Sequence, residues 1–241
     1  GIYSDEQIVG WKKVTDAVHE KGGVIFAQLW HVGRVTHPDN IGGEQPISSS
    51  ALKAENVKVF IDNGTDEPGF VDVVEPREMT KEDIKQVVEQ YRQAALNAIE
   101  AGFDGIELHA ANGYLINQFI DSEANNRTDE YGGNIENRAK FALQIITAIS
   151  QAIGPEKTAI RLAPFITQRG MDDPQAIDAI LYLAKKFDEL MLLSGNKSAE
   201  KARTDLLSKR RITQSRLTQL TKGYSPTISK ALTDSRTALD H

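Results

Sequence analysis

Cysteine is absent from this 241-residue chain, which removes disulfides, thiolate metal sites and cysteine nucleophiles and suits a cytoplasmic location. No apolar run approaches the roughly 20 residues that cross a bilayer. The first residues, GIYSDEQIVGWKK, lack a basic segment followed by an apolar one, so neither membrane span nor signal peptide is expected. Positive charge is also scarce: 28 Lys and Arg stand against 34 Asp and Glu, a net −6 that leaves no overall footprint for nucleic acid. There is no internal repeat. What remains, 40% hydrophobic and 26% charged residues, is the composition of a soluble globular protein. The length suits one large α/β domain or two smaller ones.

Helices and strands alternate. Ser4 with Gln7 has the form of a capping box, and Ile8, Trp11, Val14 and Val18 follow at helical spacing, predicting a helix over 5–20 with Trp11 in the core. VIFAQLW (24–30) reads as a strand covered on both faces. Residues 57–74 carry two alternating runs around a Gly, Asp and Pro cluster, a β-hairpin inserted into the pattern. Thr80 caps a helix whose apolar stripe runs from Ile84 to Ile99 and stops at Gly102. FDGIELH (103–109) is a strand, 136–152 a helix, and TAIRLAP (158–164) a further strand. Asp173-Pro174 pairs an N-cap with a proline at the first helical position and opens a helix to about 189. This order implies a parallel sheet joined by right-handed crossovers.

After 189 the pattern changes. LMLLS reads as a strand, yet no turn residue separates it from the helix before it. From 210 onward six basic and two acidic residues give a local +4, leaving −10 for residues 1–209. Ten Ser or Thr and no clean period mark 210–241 as a divergent, poorly ordered tail. Its charge lacks the aromatic set that would stack on nucleic-acid bases.

The stretch ELHAANGYLINQFI (107–120) crowds His109, Asn112 and Tyr114 directly after a strand, where a parallel α/β protein usually places its chemistry. A polar turn satisfying its own backbone is the plainer alternative. FAQLWHVGR, ELHAANGYLINQFIDSEANNRTDEYGGNIENRAKF and AIRLAPF, in that order, resemble the old yellow enzyme family of FMN-dependent ene-reductases, which includes NADH:flavin oxidoreductases and N-ethylmaleimide reductase. The likeness runs from residue 1 to about 189. It implies a TIM (β/α)8 barrel, here incomplete and with the inserted hairpin, over 1–209.

The resemblance also implies the site. His109 and Asn112 match the pair that hydrogen-bonds the carbonyl or nitro oxygen of an activated alkene, stabilising charge that develops there on hydride addition. Tyr114 matches the tyrosine that protonates the α-carbon. Gln28 matches the glutamine at the flavin pyrimidine edge, Trp30 an aromatic of the substrate pocket, and Arg161 the arginine beside flavin N1 and O2. Gly195-Asn196 resembles the turn that cradles the FMN phosphate. FMN is then the cofactor, NAD(P)H the reductant, and a small electrophilic alkene the substrate, with a homo-oligomer among the assemblies allowed.

Other patterns carry less. His31 and His37 lie six apart with no carboxylate completing a ligand set, so no metal site is assigned. Asp104 and Glu107 could suggest glycoside hydrolysis, but their odd spacing places them on opposite faces of one strand. RTDEYGGNIENR is a family hallmark that reads as a loop tied down by caps and ion pairs. A complete barrel needs eight strands and about five are found. The first two, the sixth and the late Gly-Arg phosphate motif are expected to be missing. The second expectation is therefore a non-catalytic remnant, or a fragment that needs a partner chain to complete its barrel.

Overall fold

The computed structural model describes residues 1–193 apart from 63, 65–67, 164, 165 and 168. Gly195, Asn196 and segment 210–241 lie outside the described residues. By internal contacts the chain divides into Gly1–Phe187 and Asp188–His241.

The helices begin where their caps dictate. Ser4 accepts from the Gln7 N–H and the Gln7 side chain accepts in return from Ser4, opening α1 at Asp5–His19. Thr80 and Asp83 make the same reciprocal pair, at 3.1 and 2.7 Å, to open α2 at Lys81–Glu100. Asn134 accepts from the Asn137 N–H to start α4 at Ile135–Ile153. Each cap satisfies donors that the first helical turn leaves without intrahelical partners.

Strands β1 (Phe26–Leu29), β6 (Gly105–His109) and β7 (Thr158–Arg161) form one parallel sheet in the order β1-β6-β7. Helix α2 connects β1 to β6 and α4 connects β6 to β7, and the two helices pack on each other and on the sheet. The face they cover holds Ile106 and Leu108, both fully buried against a layer that includes Ile84, Phe141, Ile145 and Ile149. Burying each such side chain contributes about 1.5–3 kcal/mol. On the other face the register aligns Gln28 with Glu107 and His109 with Arg161. That face is open: Phe26 is 44% and Trp30 52% exposed.

Several expectations change. Among the described residues three parallel strands join one sheet rather than five, and residues 190–193, expected as a strand, continue helix α5 (Ala176–Leu193). Helix α5 opens two residues later than the Asp173-Pro174 signal suggests, because the Asp173 carboxylate accepts from the Gln175 N–H and holds a turn ahead of the helix. Trp11 is not core. It is 39% exposed, its ring lies 5.5 Å from Phe103 and its Nε1 donates to the Gly1 carbonyl. The residues that α1 buries are Ile8 and Thr15. A two-residue parallel pair, β2 (Ile47–Ser48) with β5 (Arg77–Glu78), is an addition to the expected pattern. No helix of the described residues is long and apolar enough to cross a membrane.

The hairpin forms as β3 (Lys58–Ile61) against β4 (Gly69–Asp72), antiparallel. Beside it Val35, Ala54, Val57 and Val73 make a small buried cluster against which Val59 and Tyr114 pack. In the RTDEYGGNIENR loop, Arg127 donates to the carbonyls of Ser49 and Met79 and pairs with Asp129 at 2.7 Å.

Two groups set measurable stability terms. Asp173 is paired with Arg138 at 3.3 Å, with side-chain exposures of 1% and 4%, and accepts from Ser122 and Gln175 as well. Removing one partner of such a pair leaves a buried charge uncompensated. Asp173→Ala should lower the urea-unfolding free energy by about 3–5 kcal/mol, and a change below about 0.5 kcal/mol, the usual range of an ordinary surface substitution, would contradict the assignment. His31 accepts the Gly33 N–H at Nδ1 (3.0 Å), and burial holds its pKa down to about 4. The unfolded chain then binds more protons between pH 6.5 and 4, so stability falls on acidification, by about 3 kcal/mol from this group. His31→Gln should flatten the pH dependence across that window, and superimposable curves for the two proteins would disprove it.

Candidate active site

His109 is the last residue of β6 and lies beside Arg161 in the register, with the Ala110 N–H donating to the Arg161 carbonyl at 3.0 Å. The chain then passes through fully buried Ala110 and Ala111 and reverses at Asn112 (φ 59°) and Gly113 (φ 78°). Both adopt the left-handed conformation, which glycine enters without a Cβ clash and asparagine tolerates better than most residues. The reversal feeds the short helix α3, Leu115–Ile120.

Tyr114 occupies the N-cap of α3 in extended conformation and makes no capping bond with its side chain. Asn117 Oδ1 instead accepts the Gly113 N–H at 2.9 Å. The Tyr114 ring is thereby left to pack against its neighbours. It meets Trp30 edge-on at 4.8 Å and His109 at 5.3 Å, while Trp30 and His109 lie 6.0 Å apart. A residue from β1's carboxyl end, the last residue of β6 and the N-cap of α3 therefore make one aromatic corner.

The open sheet face continues that corner as a polar row. Gln28 Nε2 donates to Glu107 Oε1 at 2.5 Å, and Arg161 stands exposed beside His109. His109 is 6% exposed and its Nδ1 is buried without a hydrogen-bond partner among the described residues. Burial, then the nearby Arg161 cation, lowers its pKa from the ordinary value. A neutral imidazole carries one ring N–H that can donate, while the buried Nδ1 is closed to the open face.

The structure thus brings His109, Tyr114 and Trp30 into ring contact and sets Gln28 and Arg161 on the same open face. Asn112 sits at the reversal, half-buried, with its carbonyl taken by Arg169 at 2.9 Å. These residues fit the ring of a flavin: Gln28 retains an amide oxygen able to accept from an N–H, and Arg161 supplies a cation. Among the described residues no group of three or more His, Asp or Glu could hold a metal ion.

Four residues of the site escape sequence reasoning as organisers. Glu107 orients Gln28, and the two-residue strand period aligned between β1 and β6 is the signal for it. Gln118, fully buried, donates to the carbonyls of Val32 (3.1 Å) and Gly113 (2.8 Å) and accepts from the Arg34 N–H and Ser48 Oγ. Arg34 is buried and donates to Leu52, Arg169 and Gly170 carbonyls. Arg169 lies over the Tyr114 ring at 4.8 Å.

Comparison with known proteins gives this geometry its relatives. The NADH:flavin oxidoreductase / NADH oxidase family matches residues 1–229. The 12-oxophytodienoate reductase 7 of Oryza sativa subsp. japonica is 43% identical over 197 residues, covering 81% of this chain and 49% of that protein. The flavin oxidoreductase hxnT of Emericella nidulans is 49% identical over 169 residues, 68% of this chain and 41% of its own. Among solved structures, a morphinone reductase in complex with tetrahydroNAD is 46% identical with a TM-score of 0.76, covering 79% of this chain and 53% of that one. The old yellow enzyme homologue from Zymomonas mobilis is 38% identical with a TM-score of 0.73, covering 79% and 52%. The chain spans about half the length of the relatives it matches. Its fold is theirs, an old yellow enzyme-like TIM barrel, incomplete in this chain. FMN is the family's cofactor and NAD(P)H its reductant. The chain belongs to the NADH:flavin oxidoreductase / NADH oxidase family.

Proposed function

We propose that this chain carries the alkene-reducing half of an FMN-dependent oxidoreductase whose substrates are α,β-unsaturated carbonyls, maleimides and nitro compounds. The convergence of His109, Tyr114 and Trp30 at the carboxyl ends of β1 and β6, beside the open row of Gln28, Glu107 and Arg161, carries this reading. Gln28 and Arg161 would hold the pyrimidine edge of FMN. Bound FMN, reduced by NAD(P)H, would supply the hydride.

The chain's own residues do the rest. His109, neutral and so carrying one ring N–H, and Asn112, presented by the reversal, hold the acceptor oxygen of the alkene. Negative charge grows on that oxygen as hydride arrives at the β-carbon, so two donors aimed at it stabilise the transition state more than the ground state. The Tyr114 hydroxyl gives its proton to the α-carbon and takes one back from solvent. Trp30 closes one side of the corner and limits the width of the substrate. A cytoplasmic setting fits the absence of cysteine.

A second reading has its own observation. Strand β1 pairs only with β6 among the described residues, and a groove of about 830 Å³ runs along it, lined by Ile2, Trp11, Phe26 and Trp30 among others. An unpaired edge beside exposed aromatics is a template for another strand. On this reading the chain gains its activity when a partner chain completes the barrel, and stable flavin retention by the isolated chain contradicts it.

In flavin-loaded protein, Tyr114→Phe should slow reoxidation by an enone about 100-fold or more while leaving flavin reduction by NADPH within about twofold, since the hydroxyl acts in one half-reaction only. Stopped-flow absorbance separates the two halves, and equal loss of both would exclude the proton-donor role.

A further inference from the structure

Among the described residues three that are not glycine adopt a left-handed backbone: Asn56, Asn112 and Arg169. Two of the three meet. Arg169 Nη1 donates to the Asn112 carbonyl at 2.9 Å, and the same guanidinium lies 4.8 Å from the centre of the Tyr114 ring. The two segments also approach closely at Gly113, where a Cβ would lie 2.9 Å from Arg169 Cβ. Asparagine tolerates this conformation and arginine has no such tendency, so the surroundings must enforce it at 169.

Arg34 does the enforcing. Its side chain is fully buried, and Nη2 donates to the carbonyls of Arg169 (3.2 Å) and Gly170 (3.1 Å) while Nη1 donates to Leu52 (2.8 Å). Its own backbone N–H is held by Gln118, which also holds the Gly113 carbonyl. Arg169 forms no ion pair with a carboxylate among the described residues, so its charge is spent on a carbonyl and a ring. A guanidinium can donate in its plane and stack through its face together, which an ammonium does not do.

We propose that Arg169 is a positioning residue: it fixes the turn that presents Asn112 and Tyr114 from both sides, with Arg34 as its anchor. The catalytic consequence rests on the alkene-reducing reading above, while the positioning itself does not. Three amides report it: Gly113 N–H bonded to Asn117, Tyr114 N–H to Ala111 and Leu115 N–H to His31.

The test is amide hydrogen exchange, read by mass spectrometry on the full chain without added flavin. Arg169→Asn keeps a residue that tolerates the left-handed backbone and removes the guanidinium. It should speed exchange of the peptide covering 112–115 at least tenfold, Arg169→Lys should lie between it and the parent, and the core of α4 should not change. Unchanged exchange at 112–115, or equal acceleration across the whole chain, overturns the proposal. Arg34→Met should loosen the same peptide together with 169–171; if that variant fails to fold, the Arg169→Asn result still decides. In flavin-loaded protein, Arg169→Asn should raise KM for an enone and slow reoxidation while sparing flavin reduction. A chain that takes up no flavin would defeat the functional reading and leave the exchange result standing.

Discussion

A single buried carboxamide ties the site together. Gln118 has both amide hydrogens and its oxygen engaged, linking the 32–34 loop, the Gly113 turn and Ser48 on β2. A buried amide so saturated is rigid, whereas an apolar replacement would leave two carbonyls, an N–H and a hydroxyl without partners away from water. Gly33 is part of the same constraint: it adopts φ 60°, and a Cβ there would overlap the Gln118 carboxamide. The loop after β1 and the loop after β6 are therefore locked to one another, and the aromatic contact of Trp30 with Tyr114 follows from that lock.

The sheet divides its labour by face. One face carries Ile106 and Leu108 under α2 and α4 and supplies the stability. The other carries Gln28, Glu107, His109 and Arg161 in neighbouring register positions, the face to which the proposed chemistry is assigned. The two-residue period of a strand forces this separation, since alternate side chains must point to opposite faces. Polar residues on the open face avoid the cost of an apolar surface in water, and the same residues suit the edge of a polar ring. Phe26 and Trp30 on that face remain exposed.

What was legible in the sequence was whatever local chemistry decides. The capping box at Ser4, the cap at Thr80, the hairpin around 57–74 and the run GIELH each follow from short-range rules, and each forms. The family pattern singled out His109, Tyr114 and Trp30 by residue type and order, but their ring contacts with one another came only from the structure. Trp11 failed because helical period gives a face, not what covers it. The strand expected at 190–193 failed because a short apolar run fits a helix end as well as a buried strand. Arg34, Gln118 and Arg169 stayed invisible for another reason. Arg34 reaches up to 136 positions along the chain, Gln118 up to 86 and Arg169 57, and most of these bonds run to backbone carbonyls and amides, which leave no mark on residue type.

The proposed function requires that the open face of the β1-β6-β7 sheet receive a flavin. The direct measurement is gel filtration of the chain after incubation with excess FMN, with absorbance followed in the visible range. Flavin should co-elute with protein, bleach with NADPH under argon and recolour on adding 2-cyclohexenone. Protein that elutes colourless, with all the flavin in the small-molecule fraction, would contradict it.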